Sequence, residues 1–373
     1  MSTGNSSNTA PIGPRPVVAG LPHYAAGKAP LPVPGLQSYK LSSNENPLPP
    51  LPAVLEAIAA QTAVNRYPDP QSAVLCQAVA DHLGVPFADV VAGAGSLGAL
   101  NQILAAFAGQ NEDGSQDEVL YAWRSFEAYP ISVGLSGARS VQVPLRPDGT
   151  HDLAAMAAAV TPRTKVVLLC TPNNPTGPAL DAAQTEDFIA ALPSGVLVVV
   201  DEAYREFVRS DSAVDGLELY RRHPNVVLLR TFSKAHGLAG LRVGYSLSRP
   251  GVSEHLRAAA VPFAVSTVAA HAAAASLAHV AEVVERVQSL VAERTKVVAG
   301  LAGLGWDIPD AQGNFVWLPL GVDSAGFAAL AGEHGLSVRA FAGEGVRVTI
   351  GEPEANARFL ALCASSTKVP RRS

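Results

Sequence analysis

The sequence predicts an α/β fold, in which a mostly parallel sheet lies between layers of helices. Short apolar runs alternate with helical patterns through the first 250 residues, and several of these runs have β-branched side chains at successive positions. Such runs are typical of strands that helices cover on both faces. A length of 373 residues fits two domains or one large α/β unit.

The chain begins with a predicted arm, residues 1–40, which is rich in proline and glycine and lacks sustained periodicity. A large domain, 41–250, follows. Gly84 suits the left-handed end of its first helix. The predicted helices of this domain span 71–83 and 96–108, and its predicted strands span 90–92, 118–121, 140–143, 165–170, 196–200 and 225–230.

After residue 250 the pattern changes, and we predict a smaller α+β domain, 251–373, against which the arm could pack. A long amphipathic helix is expected at 280–301, because charged residues recur on one side of it. A strand at 314–318, a helix at 327–333 and a strand at 346–350 complete the predicted domain.

Composition excludes several classes of protein. Apolar residues make up 48% of the chain and charged residues 16%, which excludes a disordered chain. A net charge of −5 argues against a nucleic-acid partner. Three scattered cysteines predict neither a disulfide framework nor a metal site, and with no signal peptide evident at 1–16 we expect a cytoplasmic protein. The uncharged stretch 258–281 is mostly alanine, so we interpret it as a buried helix and expect no membrane partner.

A glycine-rich turn, 93–98 (GAGSLG), lies between a predicted strand and a predicted helix. Free amides at a helix start, with the Ser96 hydroxyl, bind phosphate groups. A dinucleotide site also needs an acid at the end of the next strand, and none follows 118–121. We favour a generic phosphate site, with a nicotinamide or flavin site and a purely structural turn as alternatives.

Polar residues follow two of the predicted strands. Asn174 lies in the turn after 165–170, at the sheet edge where ligands bind in open α/β folds. Asp201 ends the strand 196–200, with Tyr204 three residues later. A carboxylate at the end of a buried strand is costly unless it meets a cation or hydrogen-bond donors. Asp201 therefore either caps a helix or faces a positively charged ring nitrogen or a metal.

Lys234 is one of only six lysines, and it follows the strand 225–230 through Thr231 and Ser233. Arg242 comes eight residues later. A partly buried amine near other cations has a lowered pKa and acts as a nucleophile toward a carbonyl group. The alternative is a surface lysine whose stem lies along apolar neighbours.

Together these segments resemble fold-type I pyridoxal-phosphate enzymes of the aspartate-aminotransferase superfamily, in the histidinol-phosphate and aromatic aminotransferase branch. The resemblance runs from about residue 21 to residue 362. It implies a large domain with a seven-stranded type of mostly parallel sheet, and pyridoxal 5'-phosphate as cofactor. The stretches that carry it are 44–47 (NENP), 66–68 (RYP), 171–177, 201–204, 231–244, 314–315 and 347–349.

The resemblance implies catalytic roles for three residues. Lys234 takes the position of the lysine that forms the internal aldimine and later moves the Cα proton. Asp201 takes the position of the carboxylate that keeps the pyridine nitrogen protonated, so that the ring accepts electrons. Tyr204, together with Asn174, would hydrogen-bond the phenolic oxygen of the ring.

The resemblance also implies binding roles. The phosphate would lie on Ser96, Leu97, Thr231, Ser233 and Arg242. Phe126 would stack on the ring, and Tyr67 would reach the partner's phosphate in a homodimer with shared active sites. Arg347 would bind the substrate carboxylate. Three further residues would lie close to the substrate: Asn314, Tyr24 and Arg339. In the phosphate turn, Leu97 and Gly98 stand where the family often has Asp and Glu, which matters little if backbone amides bind.

Three segments, 123–127 (WRSFE), 261–263 and 314–321, are similar to those of aromatic amino acid aminotransferases from actinobacteria. The resemblance therefore implies transamination of phenylalanine, tyrosine and tryptophan with 2-oxoglutarate, in two half-reactions. Histidinol-phosphate aminotransferase is the alternative. A decarboxylase on the same fold, a transcriptional regulator and a nicotinamide dehydrogenase are less favoured.

Overall fold

The computed structural model describes residues 13–25 and 27–365, so part of the predicted arm, 1–12 and residue 26, lies outside the described residues. In chain order the strands are β1 (Tyr39–Lys40), β2 (Val90–Gly93), β3 (Glu118–Trp123), β4 (Arg139–Pro144), β5 (Thr164–Cys170), β6 (Leu197–Asp201), β7 (Val226–Thr231), β8 (Gly244–Leu247), β9 (Phe315–Leu318), β10 (Leu336–Ser337), β11 (Arg339–Phe341) and β12 (Gly345–Thr349).

The helices surround these strands. They are α1 (Pro16–Ala19), α2 (Pro52–Ala59), α3 (Ala73–Leu83), α4 (Gly95–Phe107), α5 (Tyr129–Ser136), α6 (Leu153–Ala158), α7 (Ala182–Ala191), α8 (Gly216–Arg222), α9 (Pro250–Ala258), α10 (Thr267–Ala278), α11 (Val280–Gly303), α12 (Ser324–Glu333) and α13 (Pro353–Ser365). Every helix and strand predicted from the sequence is present, with bounds that differ by a few residues, except that the helix expected over 258–281 is shorter and spans Thr267–Ala278.

The central sheet has seven strands in the order β2-β8-β7-β6-β5-β3-β4. All pairs are parallel except those of β8, which runs antiparallel to both β2 and β7. The predicted α/β class with a mostly parallel sheet is therefore confirmed. The apolar pattern of the sequence does not predict β8, because this strand is only four residues long and contains Ser246, a fully buried polar residue that interrupts the pattern.

Strand β6 explains why its sequence is a continuous apolar run. Val198 and Val200 belong to the hydrophobic cluster on one face of the sheet, whereas Leu197 and Val199 belong to the cluster on the other. Successive side chains of a strand point to opposite faces, so a sheet that helices cover on both faces needs apolar residues at every position. The carboxyl end of this strand is then the first place for a polar residue.

A second, antiparallel sheet has the order β11-β12-β9 and packs with α12, α13 and the last part of α11 in a separate cluster. Tyr39 in β1 pairs with Leu336 in β10, which joins the end of the arm to this part of the chain. Side chains of α10 and the first half of α11 instead belong to a cluster of the seven-stranded sheet. The domain boundary at residue 250 remains a prediction.

Within the uncharged stretch 258–281, residues 267–278 form α10, whose Ala269, Ala272 and Ala273 are fully buried, whereas residues 261–266 form no helix. The predicted buried, alanine-rich helix is therefore present. Among the described residues no single helix has the length and apolar composition to span a membrane, and one pair, α10 with α11, meets that test jointly but is bent by 80°.

Candidate active site

A cavity of about 360 Å³ lies at the carboxyl ends of β5, β6 and β7, beside the start of α4 and under the β11–β12 hairpin. The predicted site residues that line it are Tyr24, Ser96, Leu97, Phe126, Asn174, Asp201, Tyr204, Thr231, Ser233, Lys234, Arg242, Arg339 and Arg347. Tyr67 and Asn314 are the predicted residues that do not. The parallel strands bring Asn174, Asp201 and Lys234 together, because each lies at or just beyond a strand that ends at the same edge of the sheet. Arg339 and Arg347 reach the cavity from the β11–β12 hairpin, and Tyr24 reaches it from the arm.

The amine of Lys234 lies inside this cavity rather than on the surface. Its Nζ donates hydrogen bonds to the backbone oxygens of Ser43 and Asn44, each at 3.1 Å. Burial, and then the nearby Arg347 charge, lower the pKa of Lys234 to about 7. A large fraction of this amine is therefore neutral near neutral pH, which makes it a nucleophile and a proton acceptor.

Asp201 is buried at the end of β6 and caps no helix. Its Oδ2 accepts a hydrogen bond from the Tyr129 hydroxyl at 2.8 Å, while its Oδ1 has no hydrogen-bond partner among the described residues. Burial raises the pKa of Asp201 to about 6, and the bond from Tyr129 opposes that rise. A buried carboxylate oxygen without a partner suits a cationic N–H group that enters the cavity.

Tyr129 was not among the predicted site residues, and we expect Tyr129→Phe to change the pH dependence of activity. The hydroxyl stabilises the ionised carboxylate, so its loss raises the pKa of Asp201 and shifts the acidic limb of the kcat profile to higher pH. We also expect kcat at pH 7 to fall about tenfold, which is the effect of losing one hydrogen bond to a charged group.

The matched control for that variant is Tyr121→Phe. Tyr121 is fully buried beside Tyr129, and its hydroxyl donates to Ser140 instead of Asp201. Its loss should lower the melting temperature without moving the acidic limb. Equal pH profiles for the two variants would contradict a role of Tyr129 in holding Asp201.

The side of the cavity at the start of α4 is suited to bind an anion. The backbone amides of Ser96 and Leu97 belong to the first turn of this helix. A Cβ on Gly95 would lie 2.6 Å from an Arg242 guanidinium nitrogen, so only glycine lets that side chain approach the turn so closely. Arg242 also donates to the Ser233 hydroxyl at 3.4 Å, and the Thr231 hydroxyl donates to Ser233 at 3.0 Å.

Arg347 enters the cavity from β12 at the opposite side and is almost fully buried. One guanidinium nitrogen donates to Asn174 Oδ1 at 2.5 Å, and the other donates to the Ser42 backbone oxygen at 2.9 Å. Burial lowers the pKa of Arg347. Because Arg347 occupies the Asn174 oxygen, the amide nitrogen of Asn174 is left as the donor for a ligand.

Asn44, to which the sequence motifs assign no role, connects Tyr204, Lys234 and Asn314 through hydrogen bonds. Its side-chain amide donates to the Tyr204 hydroxyl at 3.0 Å, and its backbone oxygen accepts from both Lys234 and Asn314. Asn314 is therefore a buried support behind the cavity. Burial raises the pKa of Tyr204 above its ordinary value, so this hydroxyl is protonated and can donate a hydrogen bond.

The predicted aromatic residues have different surroundings. Phe126 lines the cavity and packs edge-on against Tyr129, with ring centroids 5.6 Å apart. Tyr24 lines it with about half of its surface exposed. Tyr67 is 84% exposed and stacks on Phe263 at 4.8 Å, outside the cavity of its own chain.

Glu127 is a further cavity residue, to which the sequence motifs assign no role. It pairs with Arg339, with Oε1 2.7 Å from a guanidinium nitrogen. The two residues are 212 positions apart, so no local pattern indicates the contact.

The residues present fit pyridoxal phosphate. A partly neutral amine, an unpartnered carboxylate oxygen and an anion-binding helix start surround one cavity. These groups complement an aldehyde, a ring nitrogen that carries a proton and a phosphate. The described residues contain no cluster of three or more His, Cys, Asp or Glu side chains that could hold a metal ion.

Comparison with known proteins yields consistent matches over most of the chain. The family model for class I and II aminotransferases matches residues 37–362. An aromatic amino acid aminotransferase from Streptomyces coelicolor is 52% identical over 347 residues, which cover 93% of this chain and 95% of that protein. One from Thermobifida fusca is 50% identical over 355 residues, with 95% and 97% coverage.

Among solved structures, a histidinol-phosphate aminotransferase from Sinorhizobium meliloti, in complex with pyridoxal-5'-phosphate, is similar in fold. It superposes with a TM-score of 0.82 at 29% identity, covering 95% of this chain and 98% of that chain. The fold is thus shared with a protein whose structure contains this cofactor.

Proposed function

Because the chain belongs to the family of class I and II aminotransferases, with pyridoxal 5'-phosphate as its cofactor, we propose that it transfers the amino group of aromatic amino acids to 2-oxoglutarate. The observation that carries the proposal is the convergence of Lys234, Asp201 and Arg347 on one cavity. Relatives about 50% identical over nearly the whole chain are named aromatic amino acid aminotransferases, which supports the substrate class.

When bound, pyridoxal phosphate supplies an aldehyde that takes up amino groups and a ring that accepts the electrons released at the substrate Cα. Lys234 would hold the cofactor through Nζ and, once the substrate amine displaces it, take the Cα proton. A pKa near 7 lets the same nitrogen accept and return that proton near neutral pH. Asp201 would hold the proton of the ring nitrogen through its unpartnered Oδ1.

The remaining cofactor contacts follow from the placement of donors around the cavity. Ser96, Leu97, Thr231, Ser233 and Arg242 would bind the phosphate, and Tyr204 and Asn174 would donate to the phenolic oxygen. Phe126 would lie against the ring. Together these contacts would orient the ring so that its reacting carbon faces Lys234.

We further propose that the active form is a homodimer with shared sites. Tyr67 is highly exposed and turned away from the cavity of its own chain, as expected for a side chain that reaches the phosphate bound by the partner. A cytoplasmic location also remains a prediction.

Arg347 would bind the substrate carboxylate, with Tyr24 and Arg339 around the bound substrate and Asn314 supporting the cavity from behind through Asn44. Replacing Arg347 with alanine is expected to raise KM for phenylalanine at least about tenfold, because a charge-assisted pair to the carboxylate is lost. The effect on kcat should be smaller, since the pair also forms in the bound ground state. Steady-state kinetics with varied amino acid and oxo acid measure both constants.

Arg358→Ala is the matched control for this variant. Its guanidinium lies over the Tyr39 ring and donates to backbone oxygens outside the cavity, so KM should not change. An unchanged KM in Arg347→Ala would reject the carboxylate role.

The experiment that tests the proposed function compares kcat/KM for phenylalanine and histidinol phosphate with 2-oxoglutarate as acceptor. We expect a clear preference for phenylalanine. A clear preference for histidinol phosphate would overturn the proposed substrate class and leave the family unchanged. Release of carbon dioxide in place of amino transfer would indicate a decarboxylase.

A further inference from the structure

Two arginines face the cavity from neighbouring strands. Arg339 in β11 and Arg347 in β12 are directly paired in the antiparallel register, so their side chains lie on the same face of the hairpin. Like charges at directly opposed positions destabilise a sheet unless a counter-charge intervenes. Both guanidinium groups lie near the Phe341 ring, whose centroid is 5.3 Å from the Arg339 guanidinium carbon and 5.8 Å from that of Arg347.

Glu127 supplies the counter-charge, and it forms its ion pair with Arg339. Its carboxylate pairs with Arg339 at 2.7 Å, and both side chains are largely buried, with 22% and 14% exposed. Arg347 instead uses neutral acceptors, Asn174 Oδ1 and the Ser42 backbone oxygen, and has no ion-pair partner in the described part of the chain.

The charge at this end of the cavity therefore sums to one positive unit. Two guanidinium groups contribute two positive charges and Glu127 removes one. Glu45, the other acid beside this region, pairs with Lys40 at 2.9 Å, so that pair adds no net charge. One positive unit matches a carboxylate, whereas a phosphate monoester carries about −1.5 to −2 at neutral pH.

We propose that Glu127 is a specificity-determining residue, which neutralises Arg339 and leaves Arg347 as the one uncompensated guanidinium of the β11–β12 hairpin, so that this end of the site accepts a carboxylate and disfavours a phosphate monoester. The inference rests on the proposed function, because it concerns the anionic group of the same substrate. It gives a physical reason for a preference for a carboxylate over a phosphate monoester. Arg339 by itself does not explain that preference, since an unpaired Arg339 would favour the more highly charged phosphate.

The chain offers a matched control, because a second ion pair joins the 123–127 segment to the β11–β12 hairpin. Arg124 forms a bidentate pair with Glu344, with one of its two bonds at 2.6 Å. This pair also joins the 123–127 segment to the β11–β12 hairpin, but neither residue lines the cavity. Glu344→Gln therefore weakens the anchoring of the segment without changing the charge of any residue that lines the cavity.

The test measures binding of two unreactive ligands to the holoenzyme by calorimetry at pH 8. The probes are 3-phenylpropionate and 2-phenylethyl phosphate, which share a ring and differ in the anionic group. In Glu127→Gln we expect the affinity ratio of phosphate to carboxylate to rise at least about tenfold. The variant removes the repulsion between the Glu127 carboxylate and the additional negative charge of the phosphate, and such a like-charge contact costs more free energy than a tenfold change in affinity. In Glu344→Gln the ratio should stay at the wild-type value. The kcat/KM ratio of histidinol phosphate to phenylalanine should change in the same direction.

Two results would overturn the inference. One is an unchanged ratio in Glu127→Gln while its melting temperature stays close to that of wild type. The other is an equal change in Glu127→Gln and Glu344→Gln, which would assign Glu127 to anchoring. If wild type does not transaminate phenylalanine, the proposed function fails, while the two binding ratios still decide the role of Glu127.

If Glu127→Gln does not fold, Arg339→Gln carries the test. Removing this cation leaves Glu127 unpaired, so the affinity for 2-phenylethyl phosphate should fall more than that for 3-phenylpropionate. An equal loss for both probes would contradict control by charge.

Discussion

Replacing Lys234 with alanine is expected to lower kcat for phenylalanine at least about a thousandfold, because a positioned general acid–base contributes about 10²–10⁴-fold and this amine would also hold the cofactor. The variant should also lose the visible absorbance that the wild-type holoenzyme owes to the covalent link with the amine. Stopped-flow absorbance and steady-state assays measure the two effects.

The matched control is Lys296→Ala. Lys296 lies exposed on α11, paired with Glu293 at 2.6 Å, so its loss should change neither the spectrum nor kcat. Retention of the visible band in Lys234→Ala would disprove the assignment of the cofactor-binding lysine.

The depressed pKa of Lys234 makes a second measurement possible on the cofactor-free protein. With a pKa of about 7, the amine is mostly neutral at pH 8, and only neutral amines react with acylating reagents. We expect Lys234 to be labelled faster than the exposed Lys296 at pH 8, and its labelling to decrease as pH falls below 7. Mass spectrometry of the two peptides gives both rates.

Replacing Asp201 with asparagine is expected to lower kcat by at least about a hundredfold, the usual effect of removing a preorganised charge that stabilises a transition state. Asparagine keeps the size of the side chain and can still accept the Tyr129 hydrogen bond, but it cannot hold a proton on the ring nitrogen. A loss of less than tenfold would show that this carboxylate is not the partner of the ring.

Asp89→Asn provides the matched control. Asp89 is also buried, accepts a hydrogen bond from a tyrosine hydroxyl, that of Tyr220, and has an Oδ1 atom with no partner among the described residues. It does not line the cavity. Its replacement should therefore affect stability without lowering kcat.

The same Asp201 variant should raise the stability of the cofactor-free protein, although it lowers kcat. The pKa of Asp201 is raised in the folded state to about 6, so the folded state binds more protons than the unfolded state and loses stability as pH rises from about 4 to 6. Above pH 6 the full penalty applies, roughly 3 kcal/mol for a shift of this size. Cofactor-free Asp201→Asn should then melt above wild type at pH 8, with the difference shrinking toward pH 5.

Several features of the fold and site could be predicted because they are local in the sequence. Continuous apolar runs such as β6 indicate strands covered on both faces, and polar residues such as Asp201 and Lys234 stand just beyond the ends of such strands. Parallel strands end at one edge of the sheet, so these residues had to meet there. Burial next to other cations likewise predicted a lowered pKa for Lys234.

Features that depend on contacts between distant segments were not predictable in this way. Strand β8 is short and polar enough to escape the apolar pattern, and only its two neighbours make it a strand. Tyr129 is 72 residues from the carboxylate that it holds, and its own segment reads as an ordinary helix start.

The sequence by itself therefore determined the α/β class and the placement of Asp201 and Lys234 at or just beyond the ends of strands, because these follow from local periodicity and strand ends. The tertiary structure alone decided which charges are neutralised. Arg339 and Arg347 each lie in a short strand and follow a valine, so their local sequences do not distinguish them. Long-range packing places Glu127 beside Arg339 and leaves Arg347 with neutral acceptors. The charge of the cavity depends on such pairings, since an ion pair forms only where the fold brings two side chains within contact distance.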